Sequence, residues 1–283
     1  MINNVIFESD NLDALKELLK MNLEEKVDVI PIDPPYNTAI YYIKYKDSFS
    51  DDYFIRFMKE RLYIAYKLLS NKGVMFIHID ENELYNLKKL CEGIFGKENI
   101  KIIIWKKNNE IFDKDKKINK KNHNIKVIHE YIVVCFKDFI NTKLNLIKKV
   151  KYDNGKFIEE LSTLESIIDF LGTNFSAKKE LSEIFDGNIV FSTPKPMKLI
   201  KELIRSASDK DSIILDFFGG SATTAHACMD LNKEDKGNRK FIIVTNNENN
   251  ICRSVTVPRV EKAIKLYNYR ETFEFKSLTS IYK

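Results

Sequence analysis

The apolar run Val27-Asp28-Val29-Ile30-Pro31-Ile32 ends in Asp33-Pro34-Pro35-Tyr36. A run of this length and content reads as a buried strand, and the residues after it leave the chain few choices. Each proline holds φ near about −65° and lacks an amide donor, so neither can continue a ladder. Pro34 turns Asp33 away from helical conformation, and Pro35 does the same to Pro34. The strand has to end in a stiff lip that carries a carboxylate, the Pro34 carbonyl and an aromatic face. That set suits a planar base with an exocyclic amine, with two acceptors for its N–H groups and a ring to stack on. The same four residues also suit an ordinary strand-to-loop turn, so a second motif has to decide between the two.

Residues 212–225 (SIILDFFGGSATTA) supply that motif: a buried strand, a tight turn of small residues and a helix beginning near Thr223. Glycines in such a turn allow positive φ and close approach of a ligand to the backbone. Amides at the helix start suit a polar or anionic group. The spacing is neither the dinucleotide fingerprint nor a Walker loop, which disfavours a hydride-transfer enzyme and an ATPase.

Short apolar runs alternate with helical segments along the chain, the pattern of an α/β protein with a mostly parallel sheet. Strands are predicted at 5–7, 27–33, 73–79, 102–105, 131–136, 213–218 and 241–245. Helices are predicted at 12–20, 51–69, 82–95, 194–207 and 257–267, besides the one starting near Thr223. Between about 138 and 190 the rhythm breaks into a polar stretch with helical spacing at 158–171 and 178–185. The 283 residues suffice for a full α/β core that buries roughly 75% of the unfolded surface. Hydrophobic content of 44% and charged content of 31% fit a globular chain. No run approaches the ~20 apolar residues of a membrane span, and the start lacks a signal-peptide pattern. The expectation is a cytoplasmic protein. Cys91, Cys135, Cys228 and Cys252 and the four histidines lack ligand spacing; core packing is expected for the cysteines, and no metal is assigned.

Net charge is only +5, but nine lysines fall within 101–126 against Glu110, Asp113 and Asp115. Such a run is most often a solvated loop. Beside a base-gripping lip it becomes a candidate phosphate-contacting arm, with Lys106, Lys107, Lys116, Lys117, Lys120 and Lys121 as its candidate DNA-binding residues.

Taken together, the two motifs resemble the amino-methyltransferases of DNA. Their order resembles the β-class of adenine-N6 enzymes, and six ordered segments are similar to modification subunits of type III restriction systems. These are 7–15 (FESDNLDAL), 32–38 (IDPPYNT), 73–83 (GVMFIHIDENE), 129–137 (HEYIVVCFK), 193–200 (TPKPMKLI) and 238–245 (NRKFIIVT). The resemblance covers most of the chain. It implies a Rossmann-like methyltransferase fold with a small inserted target-recognition region, and S-adenosyl-L-methionine as cofactor. It divides the chain into a catalytic half at 1–137, the insertion at 138–192 and a cofactor-binding half at 193–283. The catalytic residues it implies are Asp33, Pro34, Pro35 and Tyr36. For the cofactor it implies Asp10 and Asn11 on the adenosine side and Lys195 and Pro196 on the methionine side. Asp33, Asp216 and the loop residues Phe218, Gly219, Gly220, Ser221 and Thr223 complete that set.

Two departures from the family pattern stand out. Ala222 occupies a position where Gly is frequent. The acid expected after the 241–245 strand is missing at Thr245, with Asn247 and Glu248 nearest to replace it. The chain is also shorter than typical type III subunits. Double-stranded DNA is the implied substrate; a homodimer and a restriction subunit are family-level expectations. Asp at position 33 favours adenine over cytosine-N4, for which the family more often shows Ser. A non-catalytic DNA-binding or specificity subunit on the same scaffold is the reading from another class.

Overall fold

The computed structural model describes residues 2–38, 50–108, 125–153 and 156–278. Among the described residues the strands and α-helices run β1 (Val5–Glu8), α1 (Asn11–Lys20), β2 (Val27–Ile32), α2 (Asp51–Leu68), β3 (Leu69–Ile79), α3 (Leu84–Phe95), β4 (Ile100–Lys106), β5 (His129–Phe136), β6 (Ile147–Asp153), β7 (Lys156–Ser162), β8 (Ile167–Ile168), α4 (Asn174–Ile184), α5 (Met197–Ala207), β9 (Ile213–Asp216), α6 (Thr223–Asp235), β10 (Lys240–Thr245), α7 (Val257–Tyr267) and β11 (Glu274–Ser277). Nine strands form one sheet in the order β11-β1-β10-β9-β2-β3-β5-β4-β8, and β6 and β7 form a separate hairpin. From β11 to β3 every pairing is parallel, while β5 runs antiparallel to both β3 and β4.

The central strands are apolar on both faces because both faces are covered. Val5, Phe7, Ile30, Ile32, Met75 and Ile77 pack with Leu15 and Leu18 of α1, Met58 and Leu62 of α2 and Leu87 of α3. Their alternates Ile6, Val29, Val74 and Phe76 point the other way, onto Leu199 and Leu203 of α5, Ala225 and Met229 of α6 and Val260 of α7. This is a helix–sheet–helix sandwich, the α/β fold expected from the sequence. All four cysteines lie buried in it.

Two expectations change, and an edge strand joins the sheet unforeseen. The 158–171 stretch is β7 and β8, not helix. Ile158 and Leu161 are 48% and 66% exposed, with no helical face to bury. They stand on a hairpin whose backbone bonds go to β6, and Ile167 and Ile168 join the sheet beside Ile104 and Trp105. The helix expected from Pro194 begins at Met197, with Pro196 as its extended N-cap, because a residue before proline is held out of helical conformation. Edge strand β11 was not anticipated; it is exposed throughout and is held by its pairing to β1. Of the basic stretch, Lys116, Lys117, Lys120 and Lys121 lie outside the described residues.

Candidate active site

Strands β2 and β9 lie side by side through Val29 and Ile214, so their carboxyl ends open on the same edge. There the sheet holds a cavity of about 240 Å³ walled by Asp33 and Pro35 from the lip and by Asp216 to Ser221, Thr223 and Thr224 from the loop after β9. Asp10 and Asn11 after β1, Phe57 of α2, Thr193 and Lys195 before α5, and Asn246 and Glu248 after β10 complete it. This is where ligands bind in open α/β sheets.

The loop after β9 follows its glycines. A Cβ at Gly219 would stand 2.3 Å from Ile243 Cγ2, and Gly220 has φ +43°. Ala222 also takes the left-handed conformation, φ 59°, so the chain adopts at this departure the backbone that glycine adopts most easily. The buried Arg259 guanidinium lies against the loop, its Nη1 donating to Ser221 O and Oγ (each 3.1 Å) and to Thr223 Oγ1 (2.7 Å). Thr256 Oγ1 donates to Gly220 O at 2.6 Å. Asp216 accepts from Thr224 Oγ1 (2.6 Å) and from the Phe218 amide (3.0 Å). Burial pushes its carboxyl up to about 7, against the pull of those two bonds.

At the lip, Asp33 Oδ2 meets Lys195 Nζ at 2.8 Å, and Asp33 Oδ1 accepts from the Tyr36 hydroxyl at 2.8 Å. The same hydroxyl lies 3.0 Å from Glu130 Oε2. Lys195 Nζ is 3.5 Å from that oxygen, and Lys107 Nζ is 3.2 Å from Glu130 Oε1. Burial raises the Asp33 carboxyl; Lys195 opposes the shift and Glu130 adds to it. Burial acts on Glu130 in the same sense, but Lys195 and Lys107 outweigh it and hold the carboxyl low. His78 also lines the cavity, and both its ring nitrogens lack a partner among the described residues. Burial, then Lys195, keeps its pKa well below the usual value.

Most of the residues singled out from the sequence therefore meet in one place, with qualifications. Pro34 and Tyr36 are not part of the cavity wall, and neither is Pro196. Lys195, expected on the methionine side, reaches the lip. Lys107, expected on DNA, is paired with Glu130. Of the two substitutes for the missing acid, Glu248 lines the cavity and Asn247 does not; Asn247 Oδ1 accepts from the Arg253 amide at 3.3 Å. Asp10 caps α1 through the Leu12 amide (2.8 Å) and pairs with Arg61 (3.3 Å). Asn11 donates to Phe217 O at 2.9 Å and accepts from Arg61 Nε. Arg61, His78 and Glu130 were not foreseen. For Glu130 the signal was available: an acid heads the apolar run 131–136. In an antiparallel strand, that head lies at the same edge as the end of β3.

An open α/β sheet with a glycine-rich loop and a carboxylate lip sharing one cavity at its switch point is an arrangement that nucleotide-cofactor enzymes use. The chain belongs to the DNA methylase family of N6 and N4 methyltransferases, whose family model matches residues 27–256. It is 30% identical over 342 residues to the type III restriction-modification enzyme StyLTI Mod subunit of Salmonella typhimurium, across 86% of this chain and 52% of that subunit. The chain thus spans about half the length of that relative. Among solved structures, the PvuII DNA methyltransferase (cytosine-N4-specific) has a TM-score of 0.61 at 15% identity, covering 98% of this chain and 96% of that one. The M1.HpyAVI–SAM complex has a TM-score of 0.54 at 18% identity, covering 93% of this chain and 100% of that one. At these identities the two structures establish the shared fold. No helix among the described residues is long and apolar enough to cross a membrane.

Proposed function

We propose that this chain is an S-adenosylmethionine-dependent DNA methyltransferase of a restriction-modification system, acting on the N6 amine of a flipped-out adenine. The carrying observation is that the Asp33 lip and the Gly219–Gly220 loop, far apart in sequence, wall one cavity. The residues fit the cofactor. Glu248 and Asn246 offer acceptors for a sugar diol, the loop after β9 is free of bulky side chains at Gly219 and Gly220, and Asp33 and Asp216 offer carboxylates to a cationic centre. When bound, the cofactor supplies an electrophilic methyl group.

Asp33 and the Pro34 carbonyl each accept one N–H of the amine. That grip frees the nitrogen lone pair from conjugation and aims it across the cavity. Asp33 uses lone pairs that Tyr36 and Lys195 leave over, since an ionised carboxylate accepts at about four sites. Its charge stabilises the positive charge that develops on nitrogen, and the fixed geometry supplies much of the rate. Flipping the base costs a few kcal/mol, and stacking on an aromatic face at the lip recovers about 1–3 kcal/mol. Residues 138–192 are the proposed target-recognition insertion, and the basic stretch that begins at Lys106 is proposed to follow the phosphates. A restriction subunit and a second copy of the chain are the proposed protein partners. The fold shared with a cytosine-N4-specific enzyme supports cytosine as the alternative base.

The test is methyl transfer from labelled S-adenosylmethionine to unmethylated genomic DNA, followed by nucleoside analysis, beside Asp33→Ala. N6-methyladenine from the wild type alone is expected. N4-methylcytosine would assign the other base, and cofactor and DNA binding without product would indicate a non-catalytic subunit.

A further inference from the structure

Glu130 is a buried carboxylate, 6% exposed, that the reading above leaves without a task. It closes a ring around Asp33. Its Oε2 lies 3.0 Å from the Tyr36 hydroxyl and 3.5 Å from Lys195 Nζ. Those two groups hold Asp33 Oδ1 and Oδ2, each at 2.8 Å. The other oxygen of Glu130 is held by Lys107 at 3.2 Å.

The phenol has one proton for two carboxylates, so the ring has two states. With Asp33 ionised, the phenol donates to Asp33. With Asp33 protonated on Oδ1, that proton is donated to the phenol oxygen, and the phenol turns its own proton to Glu130. Glu130, with two ammonium partners, stays ionised in both. It therefore supplies an acceptor that becomes useful when Asp33 takes up a proton.

We propose that Glu130 is a positioning residue for methyl transfer, acting through Tyr36 and Lys195 to make Asp33 an acceptor for the proton that the methylated amine must lose. In that step the N–H bond breaks and its electron pair stays on nitrogen, which becomes neutral. An O–H bond forms on Asp33, and the phenol swings its donor from Asp33 to Glu130. No other reactant is needed. The proposal rests on the methyltransferase reading. The groups facing Asp33 are Lys195 from the segment before α5, Tyr36 from its own loop, Glu130 on β5 with Lys107 behind it, Asp216 on β9, and His78 on β3 beside Lys195. Of these, Glu130 and Lys107 can be changed without altering the groups that touch Asp33 directly.

The experiment is the pH profile of kcat at saturating DNA and cofactor for the wild type, Glu130→Gln and Lys107→Gln, with cofactor Kd and melting temperature recorded for each. Glu130→Gln keeps an acceptor for the phenol but removes the charge. Its kcat is expected to fall about tenfold with cofactor Kd within about twofold, and its acid limb to move down by roughly half to one pH unit. Lys107→Gln leaves Glu130 less neutralised, so its acid limb is expected to move up. A merely structural role would lower kcat or stability and leave both limbs in place. Wild-type transfer with unmoved limbs in both variants overturns the role of Glu130 and leaves the methyltransferase reading intact. Absence of wild-type transfer overturns both. Should Glu130→Gln not fold, the Lys107→Gln limb decides: an upward shift supports the ring, and no shift overturns it.

Discussion

Asp33 and Asp216 end neighbouring strands, yet their surroundings treat their charges differently. Asp33 has Lys195 at 2.8 Å. Asp216 has a hydroxyl and an amide and, among the described residues, no cationic partner. Burial without a cation favours the neutral acid, and its carboxyl is pushed from 3.8 to about 7. The folded state then holds a proton that the unfolded chain releases above its own, lower pKa. This contribution to stability is complete below about 4, declines as pH rises toward about 7, and is constant above. A shift of this size corresponds to at most on the order of 4 kcal/mol across that window. Asp216→Asn removes the titration, so its stability is expected to depend less steeply on pH between about 4 and 7 than that of the wild type. Urea unfolding at several pH values measures both slopes. Parallel curves would mean that Asp216 is ionised throughout.

At the level of elements, the site depends on a narrow seam. Strand β2 meets β9 at one ladder pair, Val29 with Ile214, and the Asp28 side chain adds to the join. Its Oδ2 accepts from the Ile213 amide at 2.9 Å and its Oδ1 from Ser70 Oγ at 3.0 Å, tying β2 to the strands on both sides. Asp28→Ala strands a backbone donor and a hydroxyl and is expected to cost about 1–3 kcal/mol. Asp28→Asn, which keeps an acceptor, should cost less, and denaturant melts of the two variants rank them. Equal losses would show that the carboxylate acts by something other than these bonds. An acid inside an apolar run looks like an interruption in the sequence, and its use as a strand-to-strand link becomes visible only when β9 lies beside it. The same contrast runs through the molecule. The buried strands were legible because covering both faces makes them continuous apolar runs. The lip and the loop were legible because proline and glycine act locally. The β6–β7 hairpin was not, since its strands pair with each other while Ile158 and Leu161 stay exposed, and β11 was not, since its order comes from β1, distant in sequence, rather than from burial. Arg61 belongs to the same class: it is one of several charges on the amphipathic helix α2, and its role is set by Asp10 and Asn11, which the fold places opposite it.

For the whole molecule the question is whether the two halves of the site belong to one cooperative unit. In sequence the chain divides into a lip-bearing stretch and a loop-bearing stretch, but the sheet does not respect that division. Strand β1, from the first residues, lies between β10 and β11, from the last. The Ser9 amide donates to Thr245 O at 3.1 Å, Asn4 bonds to Phe241 N and Thr272 O, and Glu8 takes a two-point contact from Arg253 at 2.7 and 2.8 Å. With β2 against β9 in the middle, the loop-bearing strands are held from both sides by the N-terminal stretch. A ligand bound at the loop should therefore stabilise the lip strands as well. Calorimetry with the demethylated cofactor product, S-adenosylhomocysteine, tests this. At about 100 times its Kd it adds about 2.7 kcal/mol. For a chain of this length that moves the melting temperature by about 4–5 °C. One transition shifted as a whole is expected. Two transitions, only one of them moved by the ligand, would show that the halves melt separately and that the lip is positioned without help from the loop.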